Sequence, residues 1–175
     1  MDLNLAGSSA TEALGQALAR SLPGAAHCGA GAVPYLPGAV LYLQGELGAG
    51  KTTCVRSLLR ALGVRGLVRS PTYTLVETYP LADLTCVHAD LYRLRAALEV
   101  EELGLRDLAG PGCLLLVEWP ERGGSALPPA DVKLALQYAG DARVARLHAE
   151  TPLGLTWLDN LGHDTSLSSY VSNLT

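Results

Sequence analysis

The stretch Gly45-Glu46-Leu47-Gly48-Ala49-Gly50-Lys51-Thr52 combines residue types and a spacing that suit phosphate chemistry. It fits G-x-x-x-x-G-K-[ST] at every specified position, the pattern of a loop that cradles nucleotide phosphates. Glycines let the backbone wrap an anion without side-chain collision. A helix beginning at the end of such a loop adds unpaired N–H groups and the positive end of its dipole. In that arrangement Lys51 reaches the β- and γ-phosphates and the Thr52 hydroxyl holds Mg2+. At average composition the four specified positions arise by chance in roughly one chain of this length in a hundred or two. Lysine usage adds weight, because eleven Arg stand against two Lys and one Lys sits here. A compact ammonium suits a phosphate cradle.

Two carboxylates are candidates to act beside the loop. Glu118 ends Cys113-Leu114-Leu115-Leu116-Val117-Glu118, the most apolar strand candidate and fit for the middle of a parallel sheet. An acid at the carboxyl end of that strand is placed to meet Mg2+ or an attacking water. Asp90 closes another strand, 84–89, where it is equally a structural cap or a catalytic group.

The elements that must position these groups follow from periodicity and punctuation. Residues 39–43 read as a short buried strand leading into the loop, and 53–62 as a helix with Val55, Leu58, Leu59 and Leu62 on its apolar side. Upstream, Ser9-Ala10-Thr11-Glu12 has the form of a capping box opening a helix striped by Ala13, Leu14, Ala17 and Leu18. Residues 25–38, rich in Gly, Ala and Pro, read as a loop; His27 and Cys28 are adjacent there, weak evidence for a metal site. Pro71 makes a turn, and 74–79 alternates as a strand that forms a hairpin with 84–89. A short helical region is expected over 99–108, a Gly/Pro linker over 122–129, and a second hairpin from 131–138 and 143–149. From Thr151 on, charges thin out, Ser, Leu and Asn accumulate, and no clear period remains. The expected division is a domain over 1–150 and a C-terminal extension, 151–175, of open role.

Composition narrows the function classes. A chain of 175 residues fits one domain with a sizeable core. The net charge of −4 argues against a protein that grips nucleic acid by itself. No apolar run approaches the 18 or so residues that span a bilayer, and 1–21 lacks the pattern of a secretory signal, so a cytoplasmic protein without membrane contact is expected. The scattered Cys28, Cys54, Cys86 and Cys113 have no metal-ligand spacing and read as packing in a reducing compartment. Asp107-Leu108-Ala109-Gly110 matches the D-x-x-G of GTPases. It precedes a buried strand instead of following one, however, and no N-K-x-D guanine signature occurs.

Taken in order, the loop, Ser70-Pro71-Thr72-Tyr73-Thr74-Leu75-Val76-Glu77, His88-Ala89-Asp90-Leu91-Tyr92-Arg93-Leu94 and Leu116-Val117-Glu118-Trp119-Pro120 resemble the TsaE (YjeE) family of bacterial P-loop ATPases. The similarity runs over about 8–149. Cys54 departs from it, standing where an aromatic is usual. The resemblance implies a single α/β, three-layer P-loop NTPase domain with a mainly parallel central sheet and β-hairpin additions. It implies that Gly45, Glu46, Leu47, Gly48, Ala49, Gly50, Lys51, Thr52 and Thr53 bind ATP, with Thr52 and Glu118 on Mg2+. It further implies that Ser70-Pro71-Thr72 senses the γ-phosphate, that Asp90 lies near the metal, that Trp119 lies beside the nucleotide, and that Thr11 borders the adenine. Glu118, Asp90 and Lys51 are then the catalytic set. The family acts with TsaD and TsaB in forming threonylcarbamoyladenosine on tRNA, which it meets only through that complex; alone, a monomer is expected. Two rival functions stay open at this point, a small-molecule P-loop kinase and a nucleotide-locked binding module without meaningful turnover.

Overall fold

A computed structural model describes residues 1–24, 38–95 and 97–171. His27 and Cys28, and most of the loop expected over 25–38, lie outside the described residues. The chain runs β1 (Asp2–Leu5), α1 (Ser8–Ser21), β2 (Ala39–Gly45), α2 (Lys51–Ala61), β3 (Val76–Pro80) and β4 (Thr85–Asp90). It continues through α3 (Ala97–Glu101), α4 (Leu105–Leu108), β5 (Cys113–Glu118), β6 (Val132–Ala139), β7 (Ala142–Ala149) and α5 (Pro152–Gly162).

The seven strands of the described residues form one sheet in the order β1-β7-β6-β2-β5-β4-β3. Its centre, β6-β2-β5-β4, is parallel, and the hairpin partners β7 and β3 and the edge strand β1 are antiparallel. Every residue of β5 is buried, as a strand covered on both faces requires. The expected α/β domain with a parallel centre and added hairpins is therefore present. α1, α2 and α5 cover one face, where Leu14, Leu18, Val55, Leu58 and Trp157 pack on Leu41, Leu114 and Leu116. Leu91, Val100, Leu105 and Leu127 cover the other, against Val87, Leu115 and Val117.

Side-chain alternation assigns faces to the polar residues as well. Cys86, Leu114 and Leu116 belong to the layer under α2, while Val87, Ala89, Leu115 and Val117 belong to the opposite layer. His88, Asp90 and Glu118 continue the first set, so all three stand on the face that α2 covers. α1 and α2 approach closely at Gly15, where an added Cβ would come within 2.3 Å of the Cys54 carbonyl oxygen. Cys54, Cys86 and Cys113 are free and buried; burial pushes the thiols of Cys54 and Cys86 up to about 12, which keeps them unreactive.

Four details differ from the sequence reading. The capping box does not form: α1 begins at Ser8 with extended Gly7 as its cap, so Ser9 and Glu12 already lie within the helix. The helical pattern over 99–108 breaks at Gly104 into α3 and α4. The linker over 122–129 is ordered by two 3-10 turns and buries Ala126 and Leu127. The segment after Thr151 contains α5, capped by the Thr151 hydroxyl accepting from the Gly154 N–H, and Thr151 in turn donates to Asp131. Trp157 is fully buried and its indole N–H donates to the Leu18 carbonyl at 3.0 Å, so this segment is integral to the core.

Trp157→Ala should therefore lower unfolding stability by about 3–5 kcal/mol in urea titrations. A loss below about 1 kcal/mol, the level of ordinary surface substitutions, would place α5 outside the cooperative core.

Candidate functional site

β2 ends at Gly45 with φ 134°, and a Cβ there would lie 2.2 Å from the Leu136 carbonyl oxygen of neighbouring β6, so only glycine lets the chain leave the sheet at this point. The loop then turns back into α2, with Gly50 in the left-handed region as its cap. Eleven residues of α2 follow, and its first-turn N–H groups have no partners within the helix. Tyr138, from the β6–β7 hairpin, braces the loop by donating to the Leu47 carbonyl at 3.2 Å.

Lys51 is buried and folds over its own loop, donating to the Gly45 carbonyl at 2.6 Å and the Glu46 carbonyl at 2.8 Å. Its ammonium also sits 3.9 Å from the centre of the Trp119 ring. Burial pulls the Lys51 pKa down, while the carboxylates of Glu118, Asp90 and Glu121 pull it up. This is a partly desolvated cation, and low dielectric strengthens its attraction for an anion.

Thr52, one residue on, donates to both carboxylate oxygens of Glu118, at 2.8 and 3.0 Å. That contact joins the first turn of α2 to the carboxyl end of β5. Glu118 is 1 % exposed, and its Oε1 also meets His88 Nε2 at 2.9 Å. Asp90 pairs with Glu118 in the β4–β5 register. Its Oδ2 accepts from Thr72 at 2.8 Å and Ser70 at 3.3 Å, and its Oδ1 accepts the Tyr92 N–H at 3.1 Å. Asp90 is thus the tie between β4 and the Ser70–Thr72 segment. Two non-glycine residues near these ties, Leu75 and Trp119, have φ of 64° and 59°. Such conformations cost of order 1–3 kcal/mol each and persist only where surroundings enforce them. Trp119 is enforced by its N–H on the Leu43 carbonyl and by Tyr92, whose ring centre lies 5.0 Å away.

A hollow of about 250 Å3 opens among these groups. Leu47, Gly48, Gly50, Lys51, Thr52, Thr53, Thr72, Asp90, Glu118 and Trp119 all line it. Of the other residues expected at the site, Gly45 and Glu46 contribute the carbonyls that hold Lys51, and Ala49 is buried beneath the loop. Thr11 is buried, donates to the Gly7 carbonyl, and abuts Gly50 instead of lining the hollow. Sequence reasoning assigned no role to Tyr92, which lines it, nor to Tyr138 and His88. The alternation in His88-Ala89-Asp90 carried the signal for His88, since residues two apart on a strand share a face.

The donor set fits a hard cation. Thr52, Asp90 and Glu118 offer only oxygen, and no cluster of three His, Cys, Asp or Glu forms a closed metal cage among the described residues. Mg2+ matches such a set, because it takes one or two protein carboxylates and fills its shell with phosphate oxygens and water. The loop with α2 behind it matches the phosphates.

A family model described as "Threonylcarbamoyl adenosine biosynthesis protein TsaE" matches residues 5–146. The chain is similar to the tRNA threonylcarbamoyladenosine biosynthesis protein TsaE of Haemophilus influenzae, at 47 % identity over 115 residues, 66 % of this chain and 73 % of that protein. Similarity to the protein of the same name from Streptomyces coelicolor is 41 % over 125 residues, 69 % of this chain and 84 % of the relative. The crystal structure of YdiB from Bacillus subtilis superposes with a TM-score of 0.72 at 26 % identity, covering 93 % of each chain.

Asp90→Ala should cost roughly 2–4 kcal/mol in chemical denaturation, since it strands two hydroxyls and an amide at once. Asp90→Asn should cost less than half of that, because the Ser70 and Thr72 hydroxyls can rotate to accept from the new amide. Equal losses in the two variants would show that charge, not bonding geometry, holds this corner.

Proposed function

The chain belongs to the TsaE family of tRNA threonylcarbamoyladenosine biosynthesis proteins, and from that premise we propose that it binds and hydrolyses ATP as an accessory of that tRNA modification machinery. Its hydrolysis cycles the TsaB–TsaD complex, and tRNA is met only through that complex. The observation that carries the reading is the Thr52–Glu118 contact beside Lys51. It brings a phosphate-loop hydroxyl, an ammonium and a strand-end carboxylate to one hollow.

In this reading the loop amides and Lys51 hold the β- and γ-phosphates. Lys51 exchanges its Gly45 and Glu46 carbonyl partners for phosphate oxygens, a charge-assisted replacement. Thr52 and Glu118 would hold Mg2+, which would supply charge neutralisation for the phosphate oxygens. Glu118 and Asp90 orient the attacking water and the metal's water shell, and Thr72 follows the γ-phosphate from the segment tied to Asp90. Catalysis is positioning and electrostatics, with little covalent work for the protein. The Trp119 ring stacks against the Lys51 ammonium as a cation–π partner.

Phosphate release with and without TsaB, TsaD and tRNA tests the whole proposal. Inorganic phosphate is the expected product, faster with the partners present; a phosphorylated small acceptor would mark a kinase, and tight ATP binding with no partner effect a locked binding module. Mg-ATP at a hundredfold excess over Kd should stabilise the fold by about 2.7 kcal/mol. A melt unmoved by millimolar Mg-ATP would contradict nucleotide binding. Glu118→Gln should lower single-turnover hydrolysis by roughly a hundredfold, the scale for losing one charge-stabilising group, while ATP still binds through Lys51 and the loop. Asp90→Asn should be milder, and the reverse ranking would transfer the metal-binding role to Asp90.

A further inference from the structure

His88 is fully buried under α2, and its one hydrogen bond among the described residues is the 2.9 Å contact from Nε2 to Glu118 Oε1. Its other ring nitrogen, Nδ1, is buried with no hydrogen-bond partner among the described residues. A carboxylate only accepts, so the hydrogen of this contact resides on Nε2. An apolar residue would fill the same place without leaving a buried nitrogen unsatisfied, and buried polar groups without partners are rare enough to need a reason. The reason available on this face of the sheet is Glu118.

Glu118 has two fixed contacts. Thr52 spans both carboxylate oxygens from the α2 side, and His88 grips Oε1 from the β4 side. Thr52 alone would let the carboxylate swing about its last bond, since a single hydroxyl follows either oxygen. The imidazole cannot follow, because it is rigid and packed on all sides. We propose that His88 is the positioning residue of Glu118: it fixes the rotation of the carboxylate so that the lone pairs left free face the hollow. This is the role played by partners behind metal-binding side chains, whose loss costs some 10–100-fold in metal affinity or activity. It rests on the reading of Glu118 as the acid that meets Mg2+. It predicts a defect in metal use and turnover, with nucleotide affinity spared, because His88 does not touch the loop that holds the phosphates.

Three variants test it. His88→Gln places an amide nitrogen close to the reach of Nε2, whereas His88→Asn stops near the position of Nδ1, and Glu118→Gln serves as the control for the underlying reading. Four quantities are measured: Mg2+ affinity, by calorimetric titration of MgCl2 into protein saturated with ADP, kcat and KM for ATP at saturating Mg2+, and the melting temperature. His88→Asn should weaken Mg2+ binding and lower kcat by about 10–100-fold each, with KM within about twofold. His88→Gln should stay within about threefold of wild type in Mg2+ affinity, kcat and KM. If His88→Asn matches wild type while Glu118→Gln lowers both, His88 has no positioning role and the ATPase reading stands. If Glu118→Gln matches wild type as well, both are overturned. If His88→Gln and His88→Asn lose metal affinity and melting temperature to the same degree, the residue is a packing element only, and the proposal fails.

Discussion

The hydrogen bond between the Thr52 hydroxyl and the Glu118 carboxylate is the contact on which the arrangement turns. Glu118 is almost wholly buried at the end of a strand whose other residues are apolar, and an ionised carboxylate there is costly unless it is bonded. Thr52 and His88 supply those bonds. The same contact fixes α2 against the sheet at the end where its unpaired N–H groups emerge. β2 sits at the centre of the parallel strands, with β5 on one side and β6 on the other, and the loop leaves its carboxyl end. In open parallel sheets that is where ligands bind, in the crevice outside the strand ends.

Charge explains why the site is held so firmly around a small hollow. Lys51, Asp90 and Glu118 are all buried, and each is satisfied by a different element: loop carbonyls, the Ser70–Thr72 segment, and α2 with β4. Removing any one partner leaves a largely buried charged group short of a hydrogen bond. Leu75 and Trp119 carry backbone strain on the flanks, and the hydrogen bonds of Leu75 to Pro71 and Asp90, and of Trp119 to Leu43, hold it there. Strain and buried charge concentrated at one end of the sheet mark the place where the fold departs from optimal stability, as functional sites do.

Much of this was legible in the sequence, and for identifiable reasons. The loop pattern, the apolar run ending in Glu118 and the two hairpins rely on local chemistry that survives without tertiary context. Ten of the residues expected at the nucleotide site line one hollow because the loop, the first turn of α2, the Thr72 segment and the ends of β4 and β5 converge there. β1 was not readable, since Asp2–Leu5 is a four-residue edge strand fixed by pairing with β7. α5 escaped because its buried positions are Gly154, Trp157 and Leu161, a stripe in which a glycine against the Asp131 carbonyl replaces an apolar side chain. Thr11 lies beside the loop and outside the hollow, with its hydroxyl on the Gly7 carbonyl and its side chain against Gly50. For His88 the alternation gives the face, while its partner, Glu118 on the neighbouring strand, is visible only in the fold.

If this hollow is a nucleotide site organised by the loop and its lysine, calorimetric titration of Mg-ATP must distinguish the wild-type protein from Lys51→Ala. Saturable one-to-one binding is expected in the wild type, and its loss, or a weakening of at least tenfold, in the variant, with the fold intact by circular dichroism. Equal affinity in the two proteins, or no binding heat in the wild type at several temperatures, would contradict it.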